Sequence, residues 1–205
     1  MKKAQQTTSS PRAGAARGHA AAARAISFES IDAVFRSVGQ KLREGLSGEA
    51  EKLLVKTIEG YDHTPDNLAN LKRLLSFTRE TIGRYSESLE TIKPFADDEN
   101  IFDLKIETQV RVTTQLAIAY SNTGDQPKAV TLLKENLTRA EENDLKHLSG
   151  TIEIALARVY RKLSEYLICR DFAHKALDRF RENGDWLGMA ESYREIANSF
   201  HQEGN

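Results

Sequence analysis

Residues 116–137 decide the fold: Leu116-Ala117-Ile118-Ala119-Tyr120-Ser121-Asn122-Thr123-Gly124-Asp125-Gln126-Pro127-Lys128-Ala129-Val130-Thr131-Leu132-Leu133-Lys134-Glu135-Asn136-Leu137. Their frame is Leu-Ala-x-x-Tyr, then Gly-Asp after three residues, then Ala129, Leu133 and Leu137. Forty residues on, Leu156-Ala157, Tyr160, Ser164-Glu165-Tyr166 and Cys169 occupy the same frame, followed by Ala173, Ala176 and Leu177. After another forty come Ile196-Ala197, Phe200 and Gly204. Upstream by forty-one stand Leu75-Ser76, Arg79, Gly83-Arg84-Tyr85 and Ser88, with Ile92 and Phe95 behind them. A fainter copy includes Gly45, Ala50 and Leu54. Self-similarity at a fixed period marks stacked supersecondary units.

The recurring residues have a packing logic. A small residue (Ala117, Ala157, Ala197) lets one helix of a pair approach the other closely, and the large group beyond it fills the remaining space. Glycine accommodates the tight turn between antiparallel helices, where a side chain would be strained. A second small residue (Ala129, Cys169 or Ser88) supplies the reciprocal contact. Within each copy the apolar residues follow helical spacing. Ile152, Leu156, Val159, Tyr160 and Leu163 draw one stripe, and Leu187, Ala190, Tyr193, Ile196, Ala197 and Phe200 draw another.

This pattern resembles the tetratricopeptide repeat (TPR) family over about residues 28–205, most strongly over 111–205. The copy at Leu75 departs from it at Arg79. The resemblance implies an all-α, right-handed α-solenoid of antiparallel helix pairs. A period of forty, against about thirty-four for the usual repeat, implies longer second helices or longer loops between repeats. It is similar to the longer TPR variants of signalling adaptors and of helical sensor regions in bacterial regulators.

About nine helices are expected, over 28–44, 48–60, 65–82, 86–95, 101–122, 126–141, 146–163, 166–182 and 186–203. Thr64-Pro65 reads as an N-cap followed by proline in the first turn. Asn183-Gly184-Asp185 reads as a glycine stop followed by an aspartate cap. No strand is needed. The last copy reaches Gly204-Asn205 where its second helix is due. The last repeat is therefore expected to be truncated from a longer protein, or its stripe to be covered by a second copy in a homodimer through the uncapped C-terminal helix.

Residues 1–25 differ in kind from the rest. Lys2, Lys3, Arg12, Arg17 and Arg24 meet no acidic residue before Glu29, and Met1 is the only large apolar side chain before Ile26. Such a segment buries too little to offset the entropy of ordering its backbone, which favours a disordered basic tail. An organellar presequence shares this composition but needs interleaved Leu or Phe, and a nucleic-acid arm needs denser charge. Residues 26–205 then form the repeat domain.

Composition closes off other classes. The chain has 205 residues, is 40% hydrophobic and 29% charged, and carries a net charge of −1, which excludes wholesale disorder. No apolar run is long enough to cross a bilayer, so no membrane partner is expected. One cysteine, Cys169, rules out an internal disulfide framework and fits a reducing compartment such as the cytoplasm. Its place in the repeat makes it a buried packing contact. Glycine-rich phosphate loops, nucleophile elbows and zinc-ligand spacings are all missing. The five histidines are scattered. No catalytic, metal or cofactor set emerges, and the expectation is a non-enzyme without cofactors. Asn136-Leu137-Thr138 matches a glycosylation sequon, but it lies in a helix whose Leu137 is expected to be buried. Trp186 is expected to pack at the start of the last helix.

The resemblance also implies where a partner binds: in the concave groove lined by the first helix of each pair. The residues assigned to that face are Arg73, Phe77, Arg111, Thr114, Ile118, Asn122, Ile154, Arg158, Arg161, Lys162, Arg194 and Asn198, with Asn70, Glu80, Thr81, Ser121, Thr151, Glu191, His201 and Gln202 beside them. Basic residues outnumber acidic ones there, although the chain outside the tail is mildly acidic. Such a face suits a carboxylate or an acidic peptide segment, with Arg158 and Arg161 as leading cations and Phe77, Ile118 and Ile154 as apolar anchors. The expected activity is protein-interaction scaffolding. A sensory or regulatory region of a signalling protein or transcriptional regulator, taking a peptide or small effector, is the alternative. The acidic remainder argues against nucleic acid as partner.

Overall fold

The computed structural model describes residues 24–25 and 28–204. Ten α-helices carry the described chain: α1 (Phe28–Arg43), α2 (Ser47–Gly60), α3 (Pro65–Thr81), α4 (Tyr85–Ile92), α5 (Asp98–Ile101), α6 (Ile106–Asn122), α7 (Gln126–Glu142), α8 (Lys146–Lys162), α9 (Tyr166–Glu182) and α10 (Trp186–Glu203). Helices α3, α6, α8 and α10 pack successively on one another in one layer. The first three are each followed by an antiparallel partner in a second layer, α4 after α3, α7 after α6 and α9 after α8. This is an all-α solenoid.

From α6 onward the period is built from 17-residue helices: α6, α7, α8 and α9 each have that length. Three-residue turns separate them. The extra length relative to the common repeat therefore lies in both helices of a pair, not in the second helix alone and not in the loops. Each turn contains one residue in the left-handed region. Gly124 (φ 101°) and Gly184 (φ 66°) adopt it freely, whereas Asp144 (φ 56°) and Ser164 (φ 61°) do so as non-glycine residues. Thr64 Oγ accepts from Asn67 N at 3.3 Å, and Asp185 accepts from Gly188 N at 3.0 Å, so both expected caps form.

The repeat residues are the core. Leu116, Ala117, Ala129, Leu133, Leu156, Ala157, Cys169, Ala173 and Ala176 are all buried in one continuous cluster. Burial pushes the Cys169 thiol up to about 11, which keeps it protonated and unreactive at neutral pH. In the Leu75 copy, Ser76 stands where the other copies have alanine, and its Oγ lies 2.8 Å from Ser88 Oγ. The small-residue contact survives there as a buried hydrogen bond. Arg79, the departure from the aromatic position, donates to Glu51 at 3.0 Å and to Thr91 at 2.6 Å. It ties α3 to α2 and α4.

Two helical glycines were not singled out by the sequence reading. The Phe180 ring of α9 lies between Gly150 of α8 and Gly188 of α10. A Cβ would fall 3.0 Å from that ring at Gly150 and 2.4 Å from it at Gly188. Only glycine lets three helices close around one phenylalanine at this distance.

Other expectations are corrected. The helices expected over 86–95 and 101–122 break differently: α4 stops at Ile92, Lys93–Ala96 forms a 3-10 turn, α5 is four residues long, and α6 starts at Ile106. Pro94 cannot donate a backbone hydrogen bond and so ends regular helix there. Tyr61–Asp62 pairs in parallel with Arg24–Ala25, a two-residue ladder where no strand was expected. The tail expected over 1–25 otherwise lies outside the described residues. Trp186, the first residue of α10, is 77% exposed instead of packed. In the sequon, Asn136 is the buried residue and Leu137 only partly so; Asn136 Nδ2 donates to Val110 O and Thr114 Oγ, each at 2.8 Å. A glycan has no access to it.

Candidate functional site

The first helices α3, α6 and α8, with Glu191 of α10, enclose a cavity of about 220 Å³. Seven of the assigned groove residues meet there: Arg73 and Phe77 from α3, Arg111, Thr114 and Ile118 from α6, and Ile154 and Arg158 from α8. Thr151 and Glu191 join them, as the helical spacing implied. Val110, Gln115 and Leu148 also line the cavity and were missed. Val110 is one turn before Thr114, and Leu148 one turn before Thr151. Continuing each stripe one turn toward the helix N-terminus finds both.

Asn122, Arg161, Lys162, Arg194 and Asn198 lie outside that cavity. Asn122 Nδ2 donates to Glu80 Oε1 at 3.1 Å, and Lys162 Nζ donates to Asn122 Oδ1 at 2.6 Å and to Ser121 O at 3.2 Å. These three side chains link α3, α6 and α8 across the face. Desolvation raises the Glu80 carboxyl above its usual 4.5, outweighing the hydrogen bonds it receives. Arg194 is largely exposed, and Asn198 is half-buried on α10.

The charge pattern differs from a plain count of cations. Glu195, which the sequence reading did not assign, is buried on α10 and binds Arg161 at 2.9 Å and Arg158 at 3.3 Å. Arg158 also binds Glu191 at 2.8 Å. The two cations expected to lead partner recognition are thus already neutralised within the array. Arg111 pairs with Glu107 at 2.7 Å across one helical turn. Burial within the array continues at Glu153, whose two carboxylate oxygens accept from Arg179 Nε at 2.9 Å.

Arg73 stands apart. Its Nε atom is buried and makes no hydrogen bond among the described residues. Burial lowers its guanidinium pKa to about 10, with the like charge of Arg111 contributing further. The apolar part of the cavity is varied: Phe77 is 42% exposed, Ile118 half-buried, and Ile154 fully buried. Thr114 is less available than expected. Its hydroxyl donates to Val110 O at 2.7 Å and accepts from Asn136.

Among the described residues no cluster of His, Cys, Asp and Glu is arranged to hold a metal ion. No described helix is long and apolar enough to cross a membrane.

No family model matches the sequence, and no curated protein matches it. Solved structures do resemble it. Bacillus thuringiensis PlcR, solved in complex with the peptide PapR7 and DNA, superposes with a TM-score of 0.72 at 12% identity, over 85% of this chain and 63% of that one. This chain therefore spans less than two thirds of PlcR's length. A Podospora anserina putative kinesin light chain with nearly identical TPR-like repeats gives a TM-score of 0.61 at 16% identity, covering 85% of this chain and 87% of that one. BtubC from P. vanneervenii gives 0.55 at 18% identity, covering 86% of this chain and 66% of that one. Together with the stacked helix pairs and the recurring small-residue contacts, these likenesses establish the fold as that of a TPR-like helical repeat array.

Proposed function

We propose that the chain is a non-enzymatic protein-interaction scaffold that takes a segment of a partner protein or peptide on the face shared by α3, α6 and α8. One observation carries this reading: three successive first helices converge on a cavity with apolar walls and guanidinium groups at its margin. A rigid, preformed pocket of this kind lowers the ordering cost of binding an extended segment. The likeness to PlcR, whose structure contains a bound peptide, supports a peptide as the ligand class and a sensory or regulatory role as the second reading.

The test is selection of binders from a displayed peptide library, followed by titration against Ile118→Glu. Ile118 is half-buried at the cavity, so a carboxylate there blocks the apolar seat while keeping the helix. A loss of tenfold or more in affinity, about 1.4 kcal/mol, is expected. Unchanged affinity places the binding surface elsewhere and overturns the reading.

A further inference from the structure

We propose that Arg73 anchors a single carboxylate of the bound ligand, placed beside an apolar side chain seated against Phe77, Ile118 and Ile154. This rests on the cavity being the binding site. Its distinct basis is which cations on this face already have partners. Arg158 is held by Glu191 and Glu195, Arg161 by Glu195 and Gln202, Lys162 by Asn122 and a backbone carbonyl, and Arg111 by Glu107. Among the described residues Arg73 has neither an ion pair nor a hydrogen bond at its buried Nε, and the like-signed Arg111 lines the same cavity.

A buried guanidinium N–H without an acceptor is unfavourable, and an anion is the group that relieves it with charge-assisted hydrogen bonds. Of the three arginines lining the cavity, Arg111 and Arg158 are paired and Arg73 is not, among the described residues, and one open cation suits one carboxylate. A polyanionic segment finds no second open cation in the cavity, because Arg111 and Arg158 are already held by Glu107 and Glu191. The apolar walls beside Arg73 require the carboxylate to be carried close to an aliphatic or aromatic group.

The experiment uses the full chain and small probes. N-acetyl-leucine and N-acetyl-leucinamide are titrated while the arginine Nε–Hε resonances are followed by NMR. N-acetyl-aspartyl-leucinamide and its asparagine counterpart place the only carboxylate on a side chain. The expected result is a shift of the Arg73 resonance and about a tenfold or greater preference for an acid over its matched amide. That preference disappears in Arg73→Gln and survives in part in Arg73→Lys. Preference within the first pair puts the anion at a chain end, preference within the second puts it on a side chain, and either supports the anchor. Equal binding of acids and amides, no response at Arg73, or a preference that persists in Arg73→Gln overturns it. Ile118→Glu separates the two readings. If it removes the binding of acids and amides alike while they bind the wild type equally, the cavity stands and the anchor falls. Binding indifferent to Ile118→Glu removes both.

Discussion

The two ends of the groove face carry the same residue type and treat it in opposite ways. At the α8–α10 end, Arg158 and Arg161 close onto Glu195, which is 3% exposed, and the result is a buried ionic tie between two first helices. At the α3–α6 end, Arg73 buries its Nε without a hydrogen-bond partner among the described residues. A count of basic residues treats these arginines as equals. The structure separates charge spent on holding repeats together from charge left open, and only the second kind is available to a ligand.

Breaking the tied end has the largest expected effect. Glu195→Ala removes the buried acceptor of two charged hydrogen bonds but leaves Arg158 with Glu191 and Arg161 with Gln202, and denaturant unfolding is expected to show a loss of about 2–3 kcal/mol. A loss within experimental scatter would mean that solvent, not Glu195, neutralises them, and the contrast between the two ends would collapse.

The open end responds with the opposite sign. Arg73→Met keeps a long apolar stem and removes a buried N–H that has no acceptor among the described residues, so stability is expected to rise by on the order of 1 kcal/mol. Destabilisation would show that Arg73 has a structural partner after all. A gain in stability that accompanies loss of carboxylate preference is the signature of a group kept for binding at the expense of folding.

Glu80, on α3 between the two ends, sharpens the comparison through pH. Its folded carboxyl titrates above 4.5 because burial disfavours the charged form. The folded state therefore holds this proton more tightly than the unfolded state does. The resulting stabilisation is complete below 4.5 and disappears as pH rises through the folded value. Glu80→Gln is expected to have a higher Tm than the parent at pH 7, with the difference shrinking as the pH is lowered toward 4.5. This effect is the smallest of the three, since Asn122 still compensates the carboxylate at neutral pH.

The repeat frame was legible in the sequence because it is written in residues whose size is their function. Ala117, Ala157, Cys169 and Gly124 admit few substitutes at a close helix contact or a left-handed turn, so the period survives in the letters. Even the Ser76–Ser88 departure kept its size while changing its chemistry. The helix ends on either side of residues 96–100 were less legible: Leu89, Ile92 and Phe95 keep helical spacing across Pro94, and Ile101 and Leu104 keep it ahead of α6. At the groove, helical spacing was enough to place seven residues in one cavity. It could not separate Arg158 from Arg73. Their difference depends on Glu195 and Glu191, which sit more than thirty residues along the chain from Arg158 and reach it only through the stacking of α10 on α8. Pairing across repeats is a long-range property, and a one-dimensional stripe does not encode it.

Trp186 carries a practical consequence for every one of these measurements. It is the sole tryptophan of the chain, and the residue is already 77% exposed in the native state. Its emission will therefore change little on denaturation, and unfolding curves must be followed by circular dichroism or tyrosine signals. The same exposure makes the indole a natural optical reporter: any molecule that covers the start of α10 will shift its fluorescence to shorter wavelength and shield it from iodide quenching, with no label attached.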